Sequence, residues 1–408
     1  MKVIPKLRFK EFNDNWETTP LINLSVNGFS NGAFNDPKKV GSGYRIINVK
    51  DMYIDGTINI DTLTRVAIDE QEFLKNRVEY GDIFFTRSSL VKEGIAYSNV
   101  NLNNVNDLTY DGHLIRMRPN KQKHSPVFLY YNFSTSTARK QFIKRGKTAT
   151  MTTIGQEDIA KVEITYPSLP EQQKIASFLS AVDEKIQQLT RKKELLEQYK
   201  KGVMQQLFSG KLRFKDENGK PYPKWEEKRL GDIGIITTGS TPSTSIPEFY
   251  NGDNLFVSPS DIGNGRYITK TKTTLTESGI REGRLIKEGS VLFVCIGSTI
   301  GKVAQAGKEC ITNQQINSIE ANGLNSNEFI YSLLEHNALR IKPLAGTQAV
   351  PQINKTDFSR LKFSFPFLLE QQKIASFLTT LDAKIESVAT QIAQTQTFKK
   401  GLLQQMFV

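Results

Sequence analysis

Cysteine is almost missing from this chain: Cys295 and Cys310 are the only two in 408 residues. That excludes a disulfide framework and a four-cysteine metal site. Cys295 lies inside an apolar run and reads as an inert core thiol. Histidine is nearly as scarce. His113, His124 and His336 are scattered without metal-ligand spacing or a nucleophile partner, so each reads as a surface or packing residue. No apolar run approaches the eighteen or so residues of a membrane span, and the opening residues hold none that could act as a signal peptide. A cytoplasmic protein with no membrane partner is the expectation. Neither tail is a block of like charge.

Catalytic motifs are missing too. Gly297 to Lys302 follows a strand-like run and looks like a phosphate loop. It has three residues between its glycines where four are needed, and Val303 stands where a metal-binding hydroxyl belongs. The pairs Gly41/Gly43 and Gly263/Gly265 lack the strand–turn–helix setting of a dinucleotide fingerprint and read as turns. No Asn/Asp-Pro-Pro-aromatic motif of an amino-methyltransferase occurs. No catalytic residue and no metal site is assigned, and no cofactor is expected on this chain.

What the chain does have is a repeat. Glu171–Ile186 (EQQKIASFLSAVDEKI) returns 199 positions later as Glu370–Ile385 (EQQKIASFLTTLDAKI), with twelve of sixteen residues identical. The offset holds through Lys200-Lys-Gly202, which reappears as Lys399-Lys-Gly401. An uninterrupted offset means a duplicated helix within a duplicated half-protein. Steps of four and three mark a seam in the first copy at Ile175, Leu179, Val182, Ile186, Leu189, Lys193, Leu196, Lys200, Val203 and Leu207. In the second copy it runs through Ile374, Leu378, Leu381, Ile385, Val388, Ile392, Thr395, Lys399, Leu402 and Met406. Such a repeat calls for a coiled-coil partner, and the obvious partner of each helix is the other copy. The alternative is two separate amphipathic helices, each packed on its own domain.

The intervening segments alternate short apolar runs with turn signals, as at Tyr44–Val49, Asp82–Thr86, Leu255–Val257 and Ser290–Ile296, and these read as strands. Val127–Lys144 and Glu328–Ile341 read as helices. The segments echo each other faintly: Lys6-Leu-Arg-Phe-Lys10 with Trp16-Glu17 returns as Lys211-Leu-Arg-Phe-Lys215 with Trp225-Glu226. The expected fold is α+β. Residues 1–168 and 211–367 form two related strand-rich domains, and residues 169–210 and 368–408 form two helical spacers. A shared frame with divergent side chains suggests domains that read two different targets.

The net charge of +12 is spread over both large segments, which fits two globular units that each approach a polyanion. A reader of duplex DNA needs cations and hydroxyls for phosphates, with Arg, Lys, Asn and Gln for base edges. The first segment offers Lys38, Lys39, Arg45, Lys50, Arg87, Ser88, Ser89, Lys92, Arg145, Lys147 and Thr148. The second offers Ser240, Thr241, Ser258, Ser260, Arg266, Ser298, Thr299, Lys302, Asn313, Gln314, Gln315, Thr347 and Gln348. Arg87 and Ser298 fall in comparable places just after a strand.

Two divergent globular units, each followed by a near-identical helix opening Glu-Gln-Gln-Lys-Ile-Ala, resemble the specificity subunit of type I restriction–modification systems. The resemblance spans the whole chain and is carried by Leu169–Ile175, Leu368–Ile374, Gly81-Asp-Ile83, Gly239-Ser-Thr-Pro242 and Gly297–Gly301. The first unit departs from it, with Gly28–Gly32 and Arg87-Ser-Ser89 in the corresponding places. The resemblance implies two target-recognition domains, each binding one half of a split, asymmetric DNA sequence. It implies helices paired antiparallel, with pseudo-two-fold symmetry, as a ruler between the domains. It also implies two methyltransferase subunits that bring S-adenosylmethionine and flip an adenine in each half-site. Restriction/translocase subunits, with ATP and Mg, complete such a complex. Two other readings stay open: a protein-binding coiled-coil scaffold with two basic globular domains, and a stand-alone enzyme with an unfamiliar site.

Overall fold

The computed structural model describes residues 4–34, 37–54, 56–263, 265–346 and 350–408. Its contacts divide it into two units, Met1–Gln188 with Gln391–Val408, and Leu189–Thr390. The divisions fall inside the two long helices, Leu169–Phe208 and Leu368–Gln405, rather than at their ends. Each unit therefore holds one globular segment, the first half of the helix that follows it, and the closing part of the other helix.

In the first unit an antiparallel sheet runs in the order Ser25–Asn31, Leu114–Pro119, Ile83–Thr86, Ser98–Val100. A second sheet runs Thr64–Val66, Val40–Ile47, Leu108–Tyr110, its last pair parallel. The second unit repeats this strand for strand. Gly234–Thr238, Ile316–Ala321, Val291–Val294 and Val303–Ala306 form the larger sheet, with Tyr267–Ile268 added in parallel at its edge. Thr273–Leu275, Tyr250–Val257 and Cys310–Thr312 form the smaller one. Ile83–Thr86 and Val291–Val294 are buried throughout, which is why they read as unbroken apolar runs rather than alternating ones.

The expected helix over Val127–Lys144 is two helices, Pro126–Ser134 and Ser136–Arg145. Thr135 ends the first and caps the second: its hydroxyl donates to the Asn132 carbonyl at 2.7 Å and accepts from the Ala138 amide. A threonine able to satisfy both helix ends breaks a run whose periodicity continues across it.

Seam positions of the long helices are buried or half-buried throughout, including Ile186, Leu189, Leu196, Ile385, Val388 and Ile392. In the first unit Ile175, Leu179 and Val182 share one core with Leu402, Met406 and the sheet residues Ile83 and Phe85. In the second, Val203 and Leu207 share a core with Ile374, Leu378, Leu381 and Phe293. The helices thus do both things that the periodicity allowed: they pair, and each start packs on its own domain. Asp183 bonds Lys399 at 2.6 Å, and Lys200 bonds Asp382 at 2.6 Å. Within the first unit Arg8 holds Glu171 while its neighbour Leu7 bonds the Gln405 carbonyl, and twelve residues further along the helix Asp183 meets Lys399, so the pairing is antiparallel. Both partners are related by the 199-residue offset, so the same contact is made once in each unit.

The repeated Glu-Gln-Gln explains itself in the same way. Glu171 and Gln172 are buried, as are Glu370 and Gln371. Arg8 donates twice to Glu171, both at 2.7 Å, and Arg213 donates twice to Glu370 at 3.1 and 2.6 Å. Gln172 accepts from the Ser125 amide and donates to the Pro167 carbonyl; Gln371 does the same with Ser326 and Pro366. Removing one partner strands a buried charge, which costs several kcal/mol. Arg8→Ala and Arg213→Ala are each expected to destabilise the protein by ~3 kcal/mol in denaturant unfolding. Lys362→Ala, which breaks an exposed pair with Glu227, should change stability by less than ~0.5 kcal/mol.

Candidate nucleic-acid interface

Four strands in each unit end on the same side of the sheets, and the loops that follow are stitched together by backbone hydrogen bonds. In the first unit Asp111 N donates to Ile47 O at 2.9 Å, Ala33 N to Tyr110 O at 2.9 Å, and Arg87 N to His113 O at 3.1 Å. In the second, Asn313 N donates to Val257 O at 3.0 Å, Ser240 N to Thr312 O at 2.8 Å, and Cys295 N to Gln315 O at 2.8 Å. This is one ladder built twice. It equates Gly32 with Gly239, Arg87 with Cys295, Asp111 with Asn313, and His113 with Gln315. Two further details match. Asn48 N donates to the Asp51 carboxylate at 2.8 Å as Ser258 N does to Asp261 at 2.9 Å. Asp111 accepts from His113 N at 2.7 Å as Asn313 does from Gln315 N at 3.1 Å.

The glycines let the loops meet. A Cβ on Gly32 would lie 2.0 Å from Tyr110 O, and one on Gly239 would lie 2.1 Å from Asn313 O. Only glycine tolerates that approach. It seats the Gly239–Pro242 turn against Asn313–Gln315, where the Thr241 hydroxyl donates to Gln314 Oε1 at 2.6 Å.

Several candidate residues gather at these loop ends. Ser88 and Ser89 pair with Thr153 and Thr152, which in turn pair with Lys147 and Thr148. Arg87 and Lys92 are exposed beside them; Lys147 reaches Asp158 at 3.3 Å, and Thr148 bonds Thr152 at 3.0 Å. Lys50 is exposed at the Asn48–Asp51 turn, and Lys38 and Lys39 lie exposed on the short turn Pro37–Lys39. In the second unit Ser240, Thr241, Ser258, Ser260, Ser298, Asn313, Gln314 and Gln315 lie on the joined loops. Thr299 is half-buried, and its carbonyl accepts from Lys302 N. Thr347 and Gln348 lie outside the described residues.

Four cations expected at the interface are engaged inside the protein instead. Arg45 pairs with Asp107 at 2.6 Å. Arg145 donates to the Lys161 carbonyl at 2.7 Å. Lys302 donates to the Ile262 carbonyl at 2.7 Å and so holds the 258–263 loop from beneath. Arg266, with its side chain only 6% exposed, lies over the Tyr331 ring, donates to Thr379 at 2.7 Å and faces Asp382 at 3.6 Å. Their charges are spent on carbonyls and carboxylates of the protein itself. The ladder also moves one equivalence: Arg87 matches Cys295, and Ser298 matches Leu90, since Ser88–Ser89 pairs with 152–153 as Ile296 and Gly297 bond Gln352 and Pro351. Burial pushes the Cys295 thiol up to about 12, and it accepts from Asn317 at 3.2 Å.

Residue type alone passed over Phe34, Asn48, His113 and Leu90, which stand at the same loop ends. Phe34 is 75% exposed and meets His113 edge to face. The shared Asp three residues after Asn48 and after Ser258 was the available signal. Lys270 and Lys272 were missed too. Both are exposed, and Lys272 N donates to the same Asp261 that orders Ser258. No cluster of three metal-capable side chains occurs among the described residues.

One backbone frame carrying two unlike sets of polar and cationic loop tips, each set mounted on a shared helix pair, defines a duplicated recognition protein. Relatives agree. The chain belongs to the family defined by the type I restriction modification DNA specificity domain, which matches it twice, over residues 27–198 and 222–396. It is 26% identical to the MjaX type I restriction enzyme specificity subunit of Methanocaldococcus jannaschii, over 98% of this chain and 94% of that one. It is 25% identical to the HindI specificity subunit of Haemophilus influenzae, over 74% and 84%. The crystal structure of the S subunit from M. genitalium superposes with a TM-score of 0.64 at 16% identity, covering 100% and 99% of the two chains. Members of this family recognise DNA for a restriction–modification complex and are not its catalysts. No helix among the described residues is long and apolar enough to cross a membrane.

Gly239→Ala should force the loops apart, lowering the thermal midpoint by several degrees and impairing DNA recognition. Gly323→Ala, whose added methyl meets nothing within 4 Å, should leave both unchanged.

Proposed function

We propose that this chain reads a bipartite, asymmetric DNA sequence and brings methyltransferase and restriction subunits to it. One observation carries the reading: an identical loop ladder is built twice, and nearly every side chain at its tips differs. A protein reading one palindromic sequence would have no use for that difference. The recognition domains are the segments 1–168 and 211–367. The loops after Asn31, Ile47, Thr86 and Tyr110 meet one half-site; those after Thr238, Val257, Val294 and Thr312 meet the other. Exposed Lys39, Lys50, Arg87 and Lys92 suit phosphates, and Asn313, Gln314 and Gln315 suit base edges.

The paired helices act as a spacer. Forty helical residues extend ~60 Å, enough to place two readers one DNA turn, ~34 Å, apart on one face of the duplex. Their outward face is the docking surface for two methyltransferase subunits, which carry S-adenosylmethionine; the restriction/translocase subunits carry ATP and Mg. The assembly works in the cytoplasm, where its DNA is.

Footprinting with the methyltransferase partner is expected to show two protected half-sites around an unprotected spacer; a single continuous site overturns the proposal. Exchange of residues 1–165 for another such domain should alter one half of the methylated sequence only. Insertion of one helical turn within Glu194–Gln198 should change the spacer length or abolish activity, read by methylome sequencing. An unchanged sequence would refute the ruler.

A further inference from the structure

The loop after Ile83–Thr86 carries a side chain that the cation-and-amide account of the interface leaves unused. Leu90 is 86% exposed and Val91 60%. Pairing of Ser88 with Thr153 and Ser89 with Thr152 brings Leu90 to the same end of the small sheet as Met151, itself 41% exposed. The tip is not slack. Ser89 Oγ accepts from Val91 N at 3.3 Å, and Gly94 N donates to Val91 O at 3.1 Å. The Arg139 guanidinium, lying over the Phe142 ring, donates to the carbonyls of Glu93, Ile95 and Ala96. Ala96 is held in the left-handed region at φ 50°, a strained conformation that this clamp maintains. The loop is thus locked in place while its largest apolar side chain stands in water.

The neighbours say what covers it. Arg87 and Lys92 flank Leu90 along the chain with exposed side chains that make no ion pair among the described residues, and Lys147 stands 79% exposed two strands away in the small sheet. An apolar tip flanked by cations fits a polyanion that has an apolar group between its charged edges. In the major groove of DNA that group is the thymine 5-methyl. In the second unit the corresponding position is Ser298, which is exposed and polar.

We propose that Leu90 contacts a thymine 5-methyl in the half-site of the first recognition unit, and that Ser298 makes the second unit indifferent to a methyl at the matching position. The proposal rests on the DNA-reading function above. It is tested with the chain in complex with its methyltransferase partner, on duplexes in which each thymine of the first half-site, on either strand, is replaced in turn by deoxyuridine. At one position the loss of the methyl should weaken binding about fourfold, the worth of one buried methyl-sized group. Leu90→Ser should bind thymine and uracil duplexes alike while its footprint on the second half-site stays intact, which shows that the variant is folded. Sequence-selective binding with no sensitive thymine, or a first half-site without thymine, overturns the role of Leu90 and leaves the bipartite reading standing. So does a Leu90→Ser protein that keeps the fourfold effect, or one that loses its methyltransferase partner, which would assign the tip to a protein contact. Absence of any sequence-selective binding removes both proposals.

Discussion

The buried Glu-Gln pair at the head of each long helix is the constraint that the rest of each half is arranged around. A carboxylate out of water is tolerable only when it is fully paired. Glu171 and Glu370 obtain their pairing from Arg8 and Arg213, which sit on the chain preceding each domain. The adjacent glutamine bonds Ser125 or Ser326, the capping residue of the helix behind the sheet. Three separate stretches of chain are therefore bound at one point: the entering arm, the domain and the departing helix. Because the loops grow from the strands of that same domain, their direction relative to the helix start is set by this buried knot.

Around it the two units keep their backbones and change their surfaces. Hydrogen bonds between main-chain atoms do not depend on side-chain identity, so the ladder joining the loops persists while Arg87 in one unit corresponds to Cys295 in the other and His113 to Gln315. The side chains that the frame cannot spare are the ones that make it possible: the glycines at 32 and 239, where a methyl has no room, and the aspartates at 51 and 261, which close a turn. A binding surface can diverge freely on such a frame without a penalty in stability.

The units are not equal beneath those surfaces. In the second, Arg266 reaches Thr379 and Asp382 on the long helix, and Lys200 is shared between Glu335 and Asp382. In the first, the matching aspartate, Asp183, meets Lys399 and the Tyr131 hydroxyl. The second domain is thus tied to its helix by a buried arginine for which the first has no equivalent among these contacts.

Repetition and periodicity were legible without coordinates because they are properties of neighbours along the chain. The 199-residue offset, the seam of the helices and the apolar runs of the central strands each follow from local order, and each took the form it implied. The interface was legible only in part. Arg45, Arg145, Arg266 and Lys302 have the composition of DNA contacts, yet each is held by a carbonyl or carboxylate elsewhere in its own unit. Phe34 and Leu90 have the composition of core residues and stand in solvent. Thr135 splits a helix that its periodicity would continue. The amino-acid order by itself determined that there are two copies and where each helix runs, since both depend on spacing. Which cations remain free, and which loops meet, was decided only by the tertiary structure, because burial and pairing join residues that lie far apart in the chain.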